Sequence, residues 1–246
     1  MIRKLNIAFG GYKMLNYDEQ ALERNIAYTF QNKALLKQAM SHSSFINEMK
    51  KTGMESYERL EFLGDAVLEL ITSEFLFDNY KELTEGQLTK LRASIVCEFT
   101  LSAISEQLSF GKYVLLSKGE ELTGGRNRSS ILCDLFESVL GAIYLDGGME
   151  PARKYVKTFL LTDIESKSLF YDAKTTLQEM VQKDGKGVVT YEVLEESGPD
   201  HNKKFVTEVL VDGVAVAQGE GTSKKNAQQM AAYKAILTLR EKDCSE

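Results

Sequence analysis

Glu58, Glu61 and Asp65 stand at i, i+3 and i+7 in the stretch Glu58-Arg59-Leu60-Glu61-Phe62-Leu63-Gly64-Asp65-Ala66-Val67-Leu68. On a helix this spacing raises the three acids in one column, while Leu60, Leu63, Val67 and Ile71 form a separate apolar column. A second stretch, Ser130 to Leu140, sets Asp134 and Glu137 at i, i+3 among large apolar residues. Two such helices side by side give converging carboxylates. Like charges gathered where water is scarce repel, so the cluster is tolerable only if protons or metal ions neutralise it. All-oxygen ligation suits Mg²⁺ or Mn²⁺. Taken singly, each pair reads equally as the solvated face of an amphipathic helix.

The elements that position these acids are helical. The first carboxylate helix is expected from Tyr57 to about Asp78, with Gly64 inside it marking a close approach by another helix. The second starts near Ser129 or Ser130 as N-cap and ends at Asp146-Gly147-Gly148, where glycine supplies a positive φ. Around them, Ala21 to Phe30 and Lys33 to Met40 read as short helices. Thr84-Glu85-Gly86-Gln87 has capping-box spacing and opens a helix with Leu88, Leu91, Ile95 and Phe99 inward and Lys90 and Arg92 outward. Gly111 to Arg128 reads as a basic loop. Pro151 suits a first helical turn and opens a last helix, Ala152 to about Ile164. His42, beside Ser41, Ser43 and Ser44 at a helix end, is read as a hydrogen-bonded structural group.

At 246 residues, with 43% hydrophobic and 27% charged residues and two prolines, the chain is a folded, helix-rich protein of two domains. Cys97, Cys133 and Cys244 show no C-x-x-C spacing, which argues for a reducing cytoplasm and against disulfides or zinc. No signal peptide and no membrane span are expected.

The wording ERLEFLGDA, Glu58 to Ala66, resembles the signature of the ribonuclease III family. It departs just upstream, where many family members carry Asn and this chain carries Tyr57, whose hydroxyl can still serve a neighbour. The resemblance spans about Asn25 to Arg240. It implies an all-α endonuclease domain in which Glu61, Asp65, Asp134 and Glu137 hold Mg²⁺, with Mn²⁺ as substitute. Asp65 and Glu137 would be catalytic, and Glu58 would orient the cluster from its edge. It further implies cytoplasmic cleavage of double-stranded RNA to 5′-phosphate and 3′-hydroxyl ends with short 3′ overhangs, processing ribosomal precursor and other structured transcripts. No small-molecule cofactor is implied. The basic loop would lie beside the site and touch the RNA backbone. Because a duplex has two strands related by an approximate two-fold axis, a C₂ homodimer is expected, with Phe62 docking into the partner subunit as in the family pattern.

From Glu165 to Asp172 the periodicity lapses, which marks a linker. Beyond it, Ala173 to Lys183 reads as a helix, Val188 to Leu194, Phe205 to Val211 and Val214 to Gln218 as strands, and Ser223 to about Arg240 as a helix with Ala227, Ala231 and Ala235 on one face. Lys224 and Lys225 occupy the first turn of that helix, where the macrodipole disfavours cations unless an anion such as phosphate offsets them. The α-β-β-β-α order and the run Gly219-Glu220-Gly221-Thr222-Ser223-Lys224-Lys225-Asn226-Ala227 look like the double-stranded-RNA-binding domain. That likeness implies Thr175, Gln178 and Glu179 in one minor groove, His201 in the next, and Lys224 and Lys225, with Lys203 or Lys204, on the phosphates between them. Ala173 departs from the Pro common there. Asp172 to Arg240 holds nine Lys and Arg against ten Asp and Glu, and the whole chain carries −6, so RNA binding would rest on a local patch and weaken with salt.

The fold class expected is therefore an all-α endonuclease domain followed by a small α+β (α-β-β-β-α) double-stranded-RNA-binding domain. The boundaries are an extension at 1–20, the endonuclease at 21–165, a linker at 166–172 and the RNA-binding domain at 173–242. A ferritin-like di-iron protein would also gather carboxylates, but it wants E-x-x-H pairs and the two histidines are not so placed. A pure RNA-binding scaffold would have lost one of the four carboxylates, and none is lost.

Overall fold

The computed structural model describes residues 18–49, 53–183, 187–198 and 203–243. Most of the N-terminal extension, His201 and Cys244 lie outside the described residues. Short helices open the chain, each with a side-chain cap: α1 (Glu19–Asn25) by Asp18, α2 (Lys33–Ala39) by Asn32, and α3 (Ser43–Glu48) by His42, whose Nδ1 accepts from the Ser44 amide at 3.1 Å. The third of these is not foreseen by the sequence pattern. It gives His42 the hydrogen-bonded structural place expected of it.

Two long helices form the centre, α4 (Glu58–Asn79) and α8 (Ser129–Gly147). Leu60, Val67 and Ile71 of α4 and Leu132, Leu135, Phe136, Val139 and Ile143 of α8 are buried in one core. Between them run α5 (Glu85–Ile95), opened by the Thr84–Gln87 capping box, α6 (Glu98–Gln107) and the five-residue α7 (Lys118–Leu122). The helix expected to continue through Phe99 is broken. The Ser94 hydroxyl turns back to the Leu91 carbonyl at 2.6 Å, and the Cys97 thiol and Thr100 hydroxyl both reach the Ser94 carbonyl at 3.4 Å. Phe99 accordingly sits on the next helix, partly exposed. Arg92, expected on the outer face, ties α5 to α4 through Glu69 at 2.6 Å and Ser73 at 2.7 Å.

At the start of α8 the capping position is Arg128, not Ser129 or Ser130, and no side chain caps it. Gly148, at φ 82°, separates α8 from α9 (Met149–Phe159), which begins three residues before the expected start and holds Pro151 in its first turn. The stretch expected as an irregular linker is also helical, α10 (Ile164–Tyr171).

The C-terminal unit follows the expected order: α11 (Ala173–Gln182), β1 (Val189–Ser197), β2 (Lys204–Val211), β3 (Val214–Gly221) and α12 (Lys224–Asp243). Its sheet is antiparallel in the order β1-β2-β3, with bulges between Val193 and Glu195 and between Val209 and Leu210. Asp212 and Gly213, both at positive φ, make the two-residue turn between β2 and β3. A Cβ on Gly219 would meet the Ala231 amide at 2.2 Å, so glycine and the buried Ala227, Ala231 and Ala235 together let α12 lie directly on β3.

Candidate active site

The cluster depends first on how closely α4 and α8 approach. A Cβ added at Gly64 would lie 1.8 Å from the Glu137 carbonyl oxygen, and one at Gly141 would lie 2.2 Å from the Leu60 carbonyl oxygen. The two glycines thus face each other across a backbone-to-backbone contact, and the turns on either side carry the acids. Gly64 signals this in the sequence; its counterpart Gly141, one turn beyond Glu137, completes it.

The four carboxylates interact across the contact. Burial, followed by the charges of Asp134, Glu58 and Asp65, pushes Glu61 up to about 7. Burial, followed by Asp65, Glu61 and Asp134, pushes Glu137 up to about 8. Asp134 is also raised by burial, opposed by the hydroxyl of Tyr57 and the ring of His42. Anions destabilised by burial and by one another are what a bound cation relieves. The donor set is rich in carboxylate oxygen and suits a hard divalent ion.

Tyr57 is 2% exposed, and its hydroxyl donates to Asp134 Oδ2 at 3.0 Å. Burial and then Asp134 push its own pKa up, so it remains a donor. The His42 ring rests against it, centroids 5.6 Å apart, and burial lowers the histidine pKa. Glu58 is exposed at the edge of the cluster and accepts from Ser56 Oγ at 3.1 Å. Sequence reasoning passed over Cys133. Its thiol and one carboxylate oxygen each of Asp134 and Glu137 lie within 4.8 Å of one another. Burial, aided by Glu137 and Asp134, pushes the thiol pKa up, so in the metal-free protein it stands as a neutral thiol.

The basic loop beside the site uses its arginines internally. Arg126 donates to the Gly111 and Val114 carbonyls at 2.9 and 2.8 Å and pairs with Glu121 at 2.5 Å, and Arg128 pairs with Glu120 at 2.5 Å. Phe62 is 81% exposed on the flank of α4, and Leu70 and Phe77 are exposed beyond it.

In the C-terminal unit, Thr175 and Glu179 are exposed on α11 and Gln178 is half-buried, one helical turn apart on a common face. Glu196 gathers two of the expected lysines, Lys203 at 2.7 Å and Lys224 at 3.2 Å. Lys225 is exposed beside Lys224. Lys204 is not brought into this group. Phe205 faces α12, so Lys204 turns to the open face of the sheet and pairs with Glu220 at 2.7 Å.

A helical unit with a half-buried carboxylate cluster that could hold a divalent metal, followed by an α-β-β-β-α unit with lysines at a helix start, fits the class of a nuclease domain joined to an RNA-binding module. The comparisons agree. A Ribonuclease-III-like family model matches residues 32–164, and the double-stranded RNA binding motif matches 173–239. Ribonuclease 3 of Geobacillus thermodenitrificans is 50% identical over 91% of this chain and 92% of its own, and that of Bacillus velezensis 48% identical over 94% and 93%. The solved nuclease domain of ribonuclease III from Campylobacter jejuni, a structure concerned with flexibility in a region involved in dimer formation, is 40% identical. It aligns with a TM-score of 0.53 over 57% of this chain and 94% of its own. The chain belongs to the ribonuclease III family.

Proposed function

We propose that the chain is a divalent-metal-dependent endoribonuclease that cuts both strands of double-stranded RNA as a homodimer, leaving 5′-phosphate and 3′-hydroxyl ends with short 3′ overhangs. The observation that carries this reading is the Gly64–Gly141 contact, which brings α4, with Glu61 and Asp65, against α8, where Asp134 and Glu137 each place a carboxylate oxygen within 4.8 Å of the other and where Asp65 and Glu61 help raise Glu137.

In this reading those four side chains hold Mg²⁺, or Mn²⁺ in its place, and the ion supplies Lewis acidity that activates water and offsets charge on the leaving 3′ oxygen. The chain's own residues do the rest. Tyr57 fixes the Asp134 carboxylate by its hydroxyl bond, so that one oxygen stays available to a ligand. Glu58 orients the cluster from its exposed edge. The flanking apolar residues of α4 and α8 leave Glu61, Asp134 and Glu137 half-buried, which strengthens charge interactions among them, while Asp65 and Glu58 face solvent.

The RNA-binding surface comprises Thr175, Gln178 and Glu179 on α11, Lys203 just before β2, and Lys224 and Lys225 at the start of α12, with Lys204 paired to Glu220 instead and His201 assigned from the sequence alone. Phe62, Leu70 and Phe77 fall within roughly 80° of arc on α4, an exposed apolar strip suited to a second copy of the chain. The domain limits remain 1–20, 21–165, 166–172 and 173–242, with α10 as the connection. Among the described residues no helix is long and apolar enough to cross a membrane, and the reading assigns the enzyme to the cytoplasm, acting on ribosomal precursor and other structured transcripts.

Incubating the protein with a perfect RNA duplex, with and without Mg²⁺, and analysing product lengths and ends tests the proposal. Mg²⁺-dependent products with 5′-phosphates are expected; metal-independent cutting, or cleavage confined to single strands, would overturn it.

A further inference from the structure

The connection between the two units is itself docked on both. Ile164 at the start of α10 belongs to the core of the helical unit, whereas Leu169 packs against the core of the C-terminal unit. Between them, Phe170 is the middle ring of three. It stacks on Phe99 of α6, centroids 3.8 Å apart and planes 14° from parallel, and meets Tyr233 of α12 edge-on at 5.7 Å. Polar links reinforce the stack on each side. Lys90 of α5 pairs with Asp172 at the end of α10, and the Gln229 amide of α12 donates to the Phe170 carbonyl at 2.9 Å and to that of Tyr171. The α6 helix that carries Phe99 packs directly on α8, which carries Asp134 and Glu137.

A flexible tether would let the RNA-binding unit seize a duplex in many registers relative to the carboxylates, whereas a docked one presents it in few. We infer that Phe99, Phe170 and Tyr233 form a positioning stack that holds the RNA-binding unit in a set orientation on the nuclease unit, and so selects which phosphodiester of a bound duplex reaches the cluster. The inference rests on the nuclease reading above. The three rings are argued to act by placement, so each is a positioning residue and not a catalytic one.

Phe99→Ala and Phe170→Ala test it in the full-length chain. Loss of one aromatic pair shifts such a docking equilibrium by roughly three- to tenfold. Small-angle X-ray scattering should show a larger maximum dimension. On a hairpin RNA with one preferred cut, cleavage at that position should fall by roughly three- to tenfold and spread to adjacent phosphodiesters, while the duplex dissociation constant measured without metal stays unchanged. A merely destabilised fold would lower the rate without spreading the cuts. Phe99→Tyr, which keeps the stack, should restore the single cut, and Phe99→Leu should not; this pair carries the comparison if Phe170→Ala folds poorly. Unchanged scattering and an unchanged cut position in Phe99→Leu would overturn the inference. Failure of the unaltered protein to cut duplex RNA would instead overturn the nuclease reading and leave the scattering result to stand by itself.

Discussion

Gly64→Ala tests the contact on which the carboxylate cluster depends. The added Cβ would lie 1.8 Å from the Glu137 carbonyl oxygen and 2.6 Å from its carbonyl carbon, whereas ordinary van der Waals contact begins at 3.4 Å. The helices must therefore part by about 1.6 Å at this point, because the obstructing atoms are backbone and cannot swing aside. Overpacking of this kind costs about 1–3 kcal/mol, and the rigidity of both partners places Gly64→Ala near the upper end. For a chain of this size that lowers the melting temperature by roughly 6–12 °C. Glu61 and Asp65 would move away from Asp134 and Glu137, and a misplacement of about 1 Å at reacting groups costs on the order of 100-fold in rate. Gly86→Ala is the control, since a Cβ there meets nothing within 4 Å, and it should be neutral or slightly stabilising. Circular-dichroism melts and the Mg²⁺-supported rate on a defined duplex measure both effects. A Gly64→Ala protein with the parent's melting temperature and rate would refute the reasoning.

Replacing Lys224 and Lys225 together by Ala should weaken binding to all duplexes alike and lower the slope of log affinity against log salt by about one per lost phosphate contact; an unchanged slope would assign both lysines to solvent. A purified mixed dimer in which one subunit carries Glu137→Ala should nick a single strand of each duplex, and continued double-strand cutting by it would end the one-site-per-strand model. The pH dependence of the metal-free protein follows from its raised carboxylates. Glu137 rises from 4.5 to about 8 on folding, so its contribution to stability is fully present below about 4.5 and is lost as the pH climbs through about 8. Mg²⁺ should therefore raise the melting temperature more at pH 8 than at pH 5.5, and an increment independent of pH would count against ligation by ionised Glu137.

What could be read from the sequence was what is local. The apolar columns and acidic spacings of α4 and α8, the Thr84 capping box and the Asp212-Gly213 turn each lie within one short stretch, and they appear in the structure where the pattern puts them. The α10 helix was hidden for a physical reason. Ile164, Leu169 and Phe170 serve different neighbours, one core, the other core and the Phe99 ring, so no single apolar face repeats along it. The break before Phe99 was hidden too, because it arises from Ser94, Cys97 and Thr100 side chains competing for backbone carbonyls within an otherwise helical period. At the site, spacing shows which acids share a face but not which faces meet. Gly64 gave one half of that answer, and Gly141 and the Tyr57–Asp134 bond needed coordinates. Which of Lys203 and Lys204 lies nearer Lys224 likewise needed coordinates: Lys203 shares Glu196 with Lys224, whereas Lys204 pairs with Glu220.

The central claim is that chemistry resides in the α4–α8 carboxylates and duplex affinity largely in the C-terminal unit. The direct measurement compares Glu137→Ala and Asp65→Asn with the unaltered protein on one RNA duplex, reading cleavage in Mg²⁺ and the dissociation constant without metal. Both variants should lose cleavage while binding the duplex as tightly as the parent; cleavage by either at a comparable rate would contradict the proposed site.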